Sequence, residues 1–220
     1  MKILCVSDQL DPLIYTEDIK QNYGDVDLIL SAGDLPMDYL DFIASTLNKP
    51  LFFVFGNNNY GELANHTLRV TLVDAKVRCE AGIIIVGLGV LRRFNKEKNL
   101  FSNIEMNIRV LKLLPALIFN RIFRGRYLDI LLTHRSPRGI HDKNDKNRMG
   151  LKCFLWFMRV FKPKYLVHGH IHLYDPSELR ATMYHKTLVI NAFSFHLIDT
   201  KEIHTPQRSI TADNNIQNYA

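Results

Sequence analysis

Short apolar runs recur along this chain, and most of them stop at Asp, Asn or His. The first, Lys2–Ser7, ends at Asp8; the second, 26–32, ends in Gly33-Asp34; the third, 51–55, ends in Gly56-Asn57. Apolar runs of this length bounded by turn residues read as buried strands. Lys76–Glu80 and Ile83–Leu88, separated by Ala81-Gly82, predict a β-hairpin. The run 128–133 ends in His134, and 165–167 leads into His168-Gly169-His170-Ile171-His172. Two late strands are expected at 187–192 and 195–199. Between the strands, 16–23 predicts a short helix. A longer one at 38–47 carries Tyr39, Leu40, Ile43 and Leu47 on one stripe. Residues 102–123 are helical in pattern with a kink or break at Pro115, and 149–161 predicts an amphipathic helix.

The 220 residues are 47% hydrophobic, which suffices for one domain with an ample core. We read residues 1–204 as that domain, including a basic helical segment at 92–126, and 205–220 as a polar, frayed tail. No segment has the length and apolarity of a transmembrane helix, and Met1 leads straight into a strand rather than a signal peptide. The three cysteines, Cys5, Cys79 and Cys153, form no CxxC pair and read as reduced core residues of a cytoplasmic protein.

Charge is distributed unevenly. Residues 1–91 hold 6 basic and 12 acidic side chains, 92–164 hold 18 and 5, and 165–220 hold 4 and 5. A basic middle attracts phosphorylated ligands, nucleic acid or anionic lipid.

The strand ends carry the chemistry. His170 and His172 lie two apart, so in an extended segment both face one locus, and Gly169 permits close backbone approach. Imidazole is the commonest metal ligand. In open α/β sheets, ligands bind beyond the carboxyl ends of the strands. Five strands delivering Asp8, Asp34, Asn57, His134 and the histidine pair to such a rim point to a metal site.

With these residues placed, the chain resembles the calcineurin-like metallophosphoesterases. That family's signature is D-x-H, GD, GNH followed by an acid, a lone His, and GHxH. The counterparts are Asp8-Gln9-Leu10, Gly33-Asp34, Gly56-Asn57-Asn58-Asn59, Thr133-His134 and Gly169-His170-Ile171-His172. The resemblance implies an α/β fold of two mixed β-sheets packed as a sandwich and flanked by helices, with two divalent ions at the rim. It implies that Asp34 bridges both ions, that Asn57, His134 and His170 complete one site, and that Asp8 and His172 hold the other. Carboxylates with imidazoles accept Mn²⁺, the first expectation, or Fe or Zn²⁺. Two ions about 4 Å apart clamp a phosphoryl group and activate a hydroxide. The implied activity is therefore hydrolysis of a phosphate mono- or diester, in a phosphorylated small molecule or nucleotide.

Two positions depart from the signature. Leu10 stands where D-x-H has His, which predicts a weaker second metal. Asn58 stands where GNH has its catalytic His, and an amide donates a hydrogen bond but delivers no proton. These changes leave a catalytically weak scaffold as the alternative, a route taken by the retromer subunit that shares this fold. A nuclease or nucleic-acid binder stands third. Arg135 and Arg138 are expected to contact substrate from a rim loop in which His141, Asp142 and Asp145 form a lid. His168 is expected to bond to backbone, and Asn191 to be structural. The stretch 109–126 packs across the sheet or, through its apolar and basic residues, meets a membrane surface or a protein partner.

Overall fold

The computed structural model describes residues 1–57, 69–90, 103–145, 147–175, 177–201 and 208–210. The strands are β1 (Lys2–Ser7), β2 (Leu28–Ser31), β3 (Leu51–Phe53), β4 (Val70–Leu72), β5 (Lys76–Glu80), β6 (Ile83–Leu88), β7 (Ile130–Thr133), β8 (Tyr165–His168), β9 (Ala181–Tyr184), β10 (Thr187–Asn191), β11 (Ser194–Asp199) and β12 (Arg208–Ile210). The helices are α1 (Ile19–Tyr23), α2 (Met37–Leu47), α3 (Asn103–Arg124) and α4 (Lys152–Phe161). One sheet has the order β11-β1-β2-β3-β4 and the other β12-β9-β10-β8-β7-β6-β5. Both are mixed. β1 to β4 run parallel with β11 antiparallel at the edge, and β6, β7, β8 and β10 run parallel with β5 antiparallel to β6.

Side-chain alternation explains the layering. Ile3 and Cys5 of β1, with Leu28 and Leu30 of β2, share a core with Ile130, Leu132 and Val167 of the other sheet. The intervening Leu4, Val6 and Ile29 pack on α1 and α2. On the far side, Val86, Leu131 and Leu166 pack under α3 and α4. The sandwich is thus helix, sheet, sheet, helix. Strands covered on both faces have no polar side to show, which is why they read as continuous apolar runs.

Three observations differ from the sequence reading. The helix α3 passes through Pro115 without ending. The carbonyl deprived of a donor is that of Leu111, whose exposed position leaves water able to satisfy it. The strand β12 lies within the stretch read as a frayed tail and pairs in parallel with β9. Finally, β4 and β9 were not anticipated; both are short, and only alternate residues of β9 are fully buried.

Candidate metal centre

The parallel strands of both sheets deliver their ends to one rim. Asp8 follows β1, Asp34 follows β2 and His134 follows β7, and ligand atoms of these three lie within 4.8 Å of one another. Asp8, Asp34 and His170 all have left-handed backbone, with φ of 64°, 60° and 67°. Non-glycine residues seldom enter this region and stay only where their surroundings hold them. For Asp8 those surroundings are explicit. Its N–H donates to the Gly33 carbonyl at 3.2 Å. Its Oδ2 accepts from the Ser7 hydroxyl at 2.5 Å and from the His170 N–H at 2.8 Å. One carboxylate oxygen thereby ties the two sheets together.

His134 is fully buried, and its Nδ1–H donates to the Ala32 carbonyl at 2.7 Å. This bond fixes the tautomer that presents Nε2 as the free lone pair. Nε2 stands 3.4 Å from Asp34 Oδ2 and has no hydrogen-bond partner. A buried nitrogen so placed among carboxylates suits a cation. Burial depresses the His134 pKa, but Asp34 and Asp8 outweigh it and the ring holds a proton more tightly than an ordinary histidine. Burial likewise pushes the Asp8 carboxyl up, while His172, His134, Ser7 and the His170 amide bring it below the usual range. The cluster thus attracts positive charge, and its donor set fits hard divalent ions.

The other residues expected as ligands fall into two groups. Asn57 Nδ2 lies 3.0 Å from His170 Nδ1, so the side-chain amide and the ring share one point. His170 lies beside His134 with ring centroids 5.0 Å apart, and its Nε2–H donates to the Asn147 carbonyl at 2.9 Å. On the other side, His172 Nε2 is 3.7 Å from Asp8 Oδ1. The His172 ring stacks on Phe193 at 4.9 Å, and Nδ1 meets the Tyr174 hydroxyl at 2.8 Å. Sequence reasoning missed Asn147, Phe193 and Tyr174, because none belongs to a motif and each contributes through position alone. Leu10, two residues past Asp8, is 43% exposed and offers no ligand atom. Asn58 lies outside the described residues.

The motif glycines follow from packing. A Cβ on Gly169 would overlap Ser7 Oγ and Asp8 Oδ2, and one on Gly56 would overlap the Asp34 carboxylate. At Gly169 this closeness brings the carboxylate of one sheet to the histidine turn of the other, and at Gly56 it joins two loops of the same sheet.

His168 and His141 form an unanticipated link. His168 Nδ1–H donates to the Gly169 carbonyl at 2.9 Å, so Nε2 accepts from His141 Nδ1–H at 2.9 Å. His141 Nε2 then accepts from the Thr182 hydroxyl at 2.8 Å. The chain of bonds is complete with both rings neutral. Burial lowers the His168 pKa to about 4 and takes that of His141 well below 6.5. Asn191 is structural as expected: fully buried, it donates Nδ2–H to the Ile171 carbonyl at 2.7 Å, between His170 and His172.

The loop after β7 is internally braced. Asp142 accepts from the N–H groups of Gly139 at 3.0 Å and Gly150 at 2.9 Å, and Asp145 accepts from the Arg148 N–H at 2.9 Å. Arg135 and Arg138 are only 6% and 7% exposed. Arg135 donates to the carbonyls of Asn147 and Met149, and Arg138 stands 3.8 Å from Asp142. These guanidiniums support the loop that holds His170.

Comparison with known proteins agrees with this architecture. The profile of the calcineurin-like phosphoesterases matches residues 1–174, and the chain belongs to that family. Among solved structures it is similar to TT1561 of Thermus thermophilus, at 15% identity and a TM-score of 0.61, over 88% of this chain and 89% of that one. An archaeal phosphodiesterase aligns at 14% identity and a TM-score of 0.45, over 91% and 94% of the two chains. Zinc-complexed Vps29 from Entamoeba histolytica aligns at 12% identity and 0.40, over 88% and 74%. No curated protein matches the sequence.

The close approach at Gly169 can be tested directly. Gly169→Ala should displace Ser7 and Asp8, costing about 1–3 kcal/mol in stability and most of the bound divalent metal measured by elemental analysis. Gly82→Ala, at φ 81° with open space around it, should cost only about 1–2 kcal/mol of backbone strain and keep its metal. Full metal content in Gly169→Ala would place binding elsewhere.

The buried histidine pair should also shape the response to acid. His141 has a depressed folded pKa, so below its ordinary 6.5 the unfolded chain binds more protons than the folded one. Its contribution to stability is complete above that value and is lost as pH falls. The melting temperature of His141→Gln should therefore decline less between about pH 7 and 5 than that of the parent. Equal slopes would mean that the folded ring accepts a proton freely.

Proposed function

We propose that the chain is a divalent-metal-dependent phosphoesterase hydrolysing a phosphate mono- or diester, with Mn²⁺, Fe or Zn²⁺ in a dinuclear centre. The observation that carries this reading is the buried, unpartnered His134 Nε2 facing the Asp34 carboxylate, with Asp8 beside it. Asp34, close to both His134 and Asp8, would serve both ions. His134, His170 and Asn57 would hold one ion, and Asp8 and His172 the other. The chemistry that such ions supply is polarisation of a phosphoryl oxygen and acidification of a water. The protein's part is to fix the donors beforehand. The Ala32 carbonyl sets the His134 tautomer, the Asn147 carbonyl orients His170, and Phe193 positions His172. The three thiols are free, Cys5 and Cys153 in the core and Cys79 exposed on β5 against the expectation of a core residue, and they suit a cytoplasmic setting.

The centre has unequal halves. Leu10 leaves the Asp8–His172 half without the imidazole of the family pattern, so chelator-stripped protein should take up one ion tightly and a second more weakly by calorimetric titration. Leu10→His should tighten only the second. Two equally tight ions in the parent would refute this account of Leu10, and no uptake would refute the function.

Asn58 sets the expected substrate preference. Without an acid to protonate the leaving group, metal-loaded protein should hydrolyse para-nitrophenyl esters but turn over alkyl phosphates about 10²–10⁴-fold more slowly. Asn58→His should rescue the alkyl substrates far more than the activated ones. Silence of both proteins on both substrates would favour the scaffold reading, to which the exposed Leu10 lends support.

A further inference from the structure

The helix α3 is apolar on two sides. One side is spent on the core, where Met106, Val110, Leu113 and Leu117 are buried under the second sheet's helical layer. The other side carries Ile108, Leu111, Ile118, Phe119, Ile122 and Phe123, all exposed, with Ile122 at 70% and Phe123 at 69%. The spacing of 108, 111, 115, 118 and 122 alternates three and four, so these residues form one stripe along the helix. At 1.5 Å per residue the stripe from Ile104 to Ile122 is about 27 Å long. Phe119 and Phe123 reinforce it with ring centroids 4.4 Å apart. The stripe continues onto α4, since Leu111 and Asn107 line a groove together with Trp156, Cys153 and Lys152. A core helix needs one apolar side; the second asks for an occupant.

Charge identifies the occupant. Lys112, Arg121 and Arg124 on α3 are exposed, as are Lys152 and Arg159 on α4 and Lys162 just beyond it. The only acidic residue in either helix is Glu105, which is half-buried. A second copy of the chain would set these bases against themselves, with one acid per copy to answer them. An anionic lipid surface satisfies both halves of the pattern. Aromatic and aliphatic side chains enter the acyl boundary, while flanking Lys and Arg meet the headgroup phosphates. No described helix is long and apolar enough to cross a membrane, so the contact is peripheral. We propose that α3, with the outer edge of α4, is a docking surface for an anionic phospholipid membrane.

This inference is independent of catalysis and is tested by flotation of the full-length, metal-loaded protein. Vesicles of phosphatidylcholine with about 30% phosphatidylserine should carry at least about tenfold more protein than phosphatidylcholine alone, and the preference should shrink with salt. The paired change Ile122→Glu and Phe123→Glu should abolish flotation. The milder Arg121→Gln with Arg124→Gln, on exposed positions that leave the apolar stripe intact, should remove the preference for phosphatidylserine. Melting temperature and metal content should match the parent in both. Failure of the parent to float on anionic vesicles would overturn the proposal, as would unchanged flotation of either variant. So would a concentration-dependent dimer, seen by light scattering, that Ile122→Glu with Phe123→Glu dissolves, because the stripe would then be a self-interface.

Discussion

Asp8 and Asp34 leave adjacent parallel strands in left-handed backbone and bring buried carboxylates within 4.8 Å of His134 from the opposite sheet. Much else at the rim can be derived from that juxtaposition. Negative charge removed from water must be answered by hydrogen bonds or by positive charge. The hydrogen bonds come from Ser7 and the His170 amide, and the available cations are imidazolium or metal. To bring these groups together, the two sheets approach closely at Gly169 and two loops of one sheet approach closely at Gly56, and neither position has room for a Cβ. The motif glycines are therefore a consequence of the carboxylate cluster, as much a part of its design as the ligands.

Support for the cluster extends outward in two directions. Through His168 and His141, the β8 turn is tied to Thr182 on β9, a strand at the far side of β10. Through Asn147 and Arg135, the loop after β7 is drawn onto His170. Both routes consume polar groups that look free in a linear reading. Neutral histidines with depressed pKa values are the cost of the first, and buried guanidiniums that serve loop carbonyls are the cost of the second.

The sequence made the inner strands legible because both faces of each are covered, leaving uninterrupted apolar runs whose ends coincide with Asp8, Asp34, His134 and the GHIH turn. The residues expected as ligands were legible for the same reason, standing in the turns where such runs end. Edge strands were not. β4 and β9 are short and partly solvated, and β12 gains its pairing only from β9, so nothing local distinguishes it from a polar tail. Arg135 and Arg138 show a different limit. Their place beside His134 was evident, but composition does not reveal whether a guanidinium turns toward a ligand or toward a carbonyl of its own loop. Pro115 signalled a break that α3 does not make, because the carbonyl it orphans lies on the exposed side.

That exposed side and the incomplete half of the metal centre pose the same physical question: what an unspent group is for. His134 Nε2 is buried beside the Asp34 carboxylate, in a setting that favours positive charge, whether imidazolium or metal. The outer stripe of α3 is apolar area left in water, where only an apolar surface removes it. Leu10 is the contrary case, an exposed apolar side chain standing where the family pattern has an imidazole, on the side of Asp8 and His172. Burying carboxylates beside an imidazole costs stability that an apolar replacement would recover, so the donor set is explained by the cation it suits rather than by the fold that carries it.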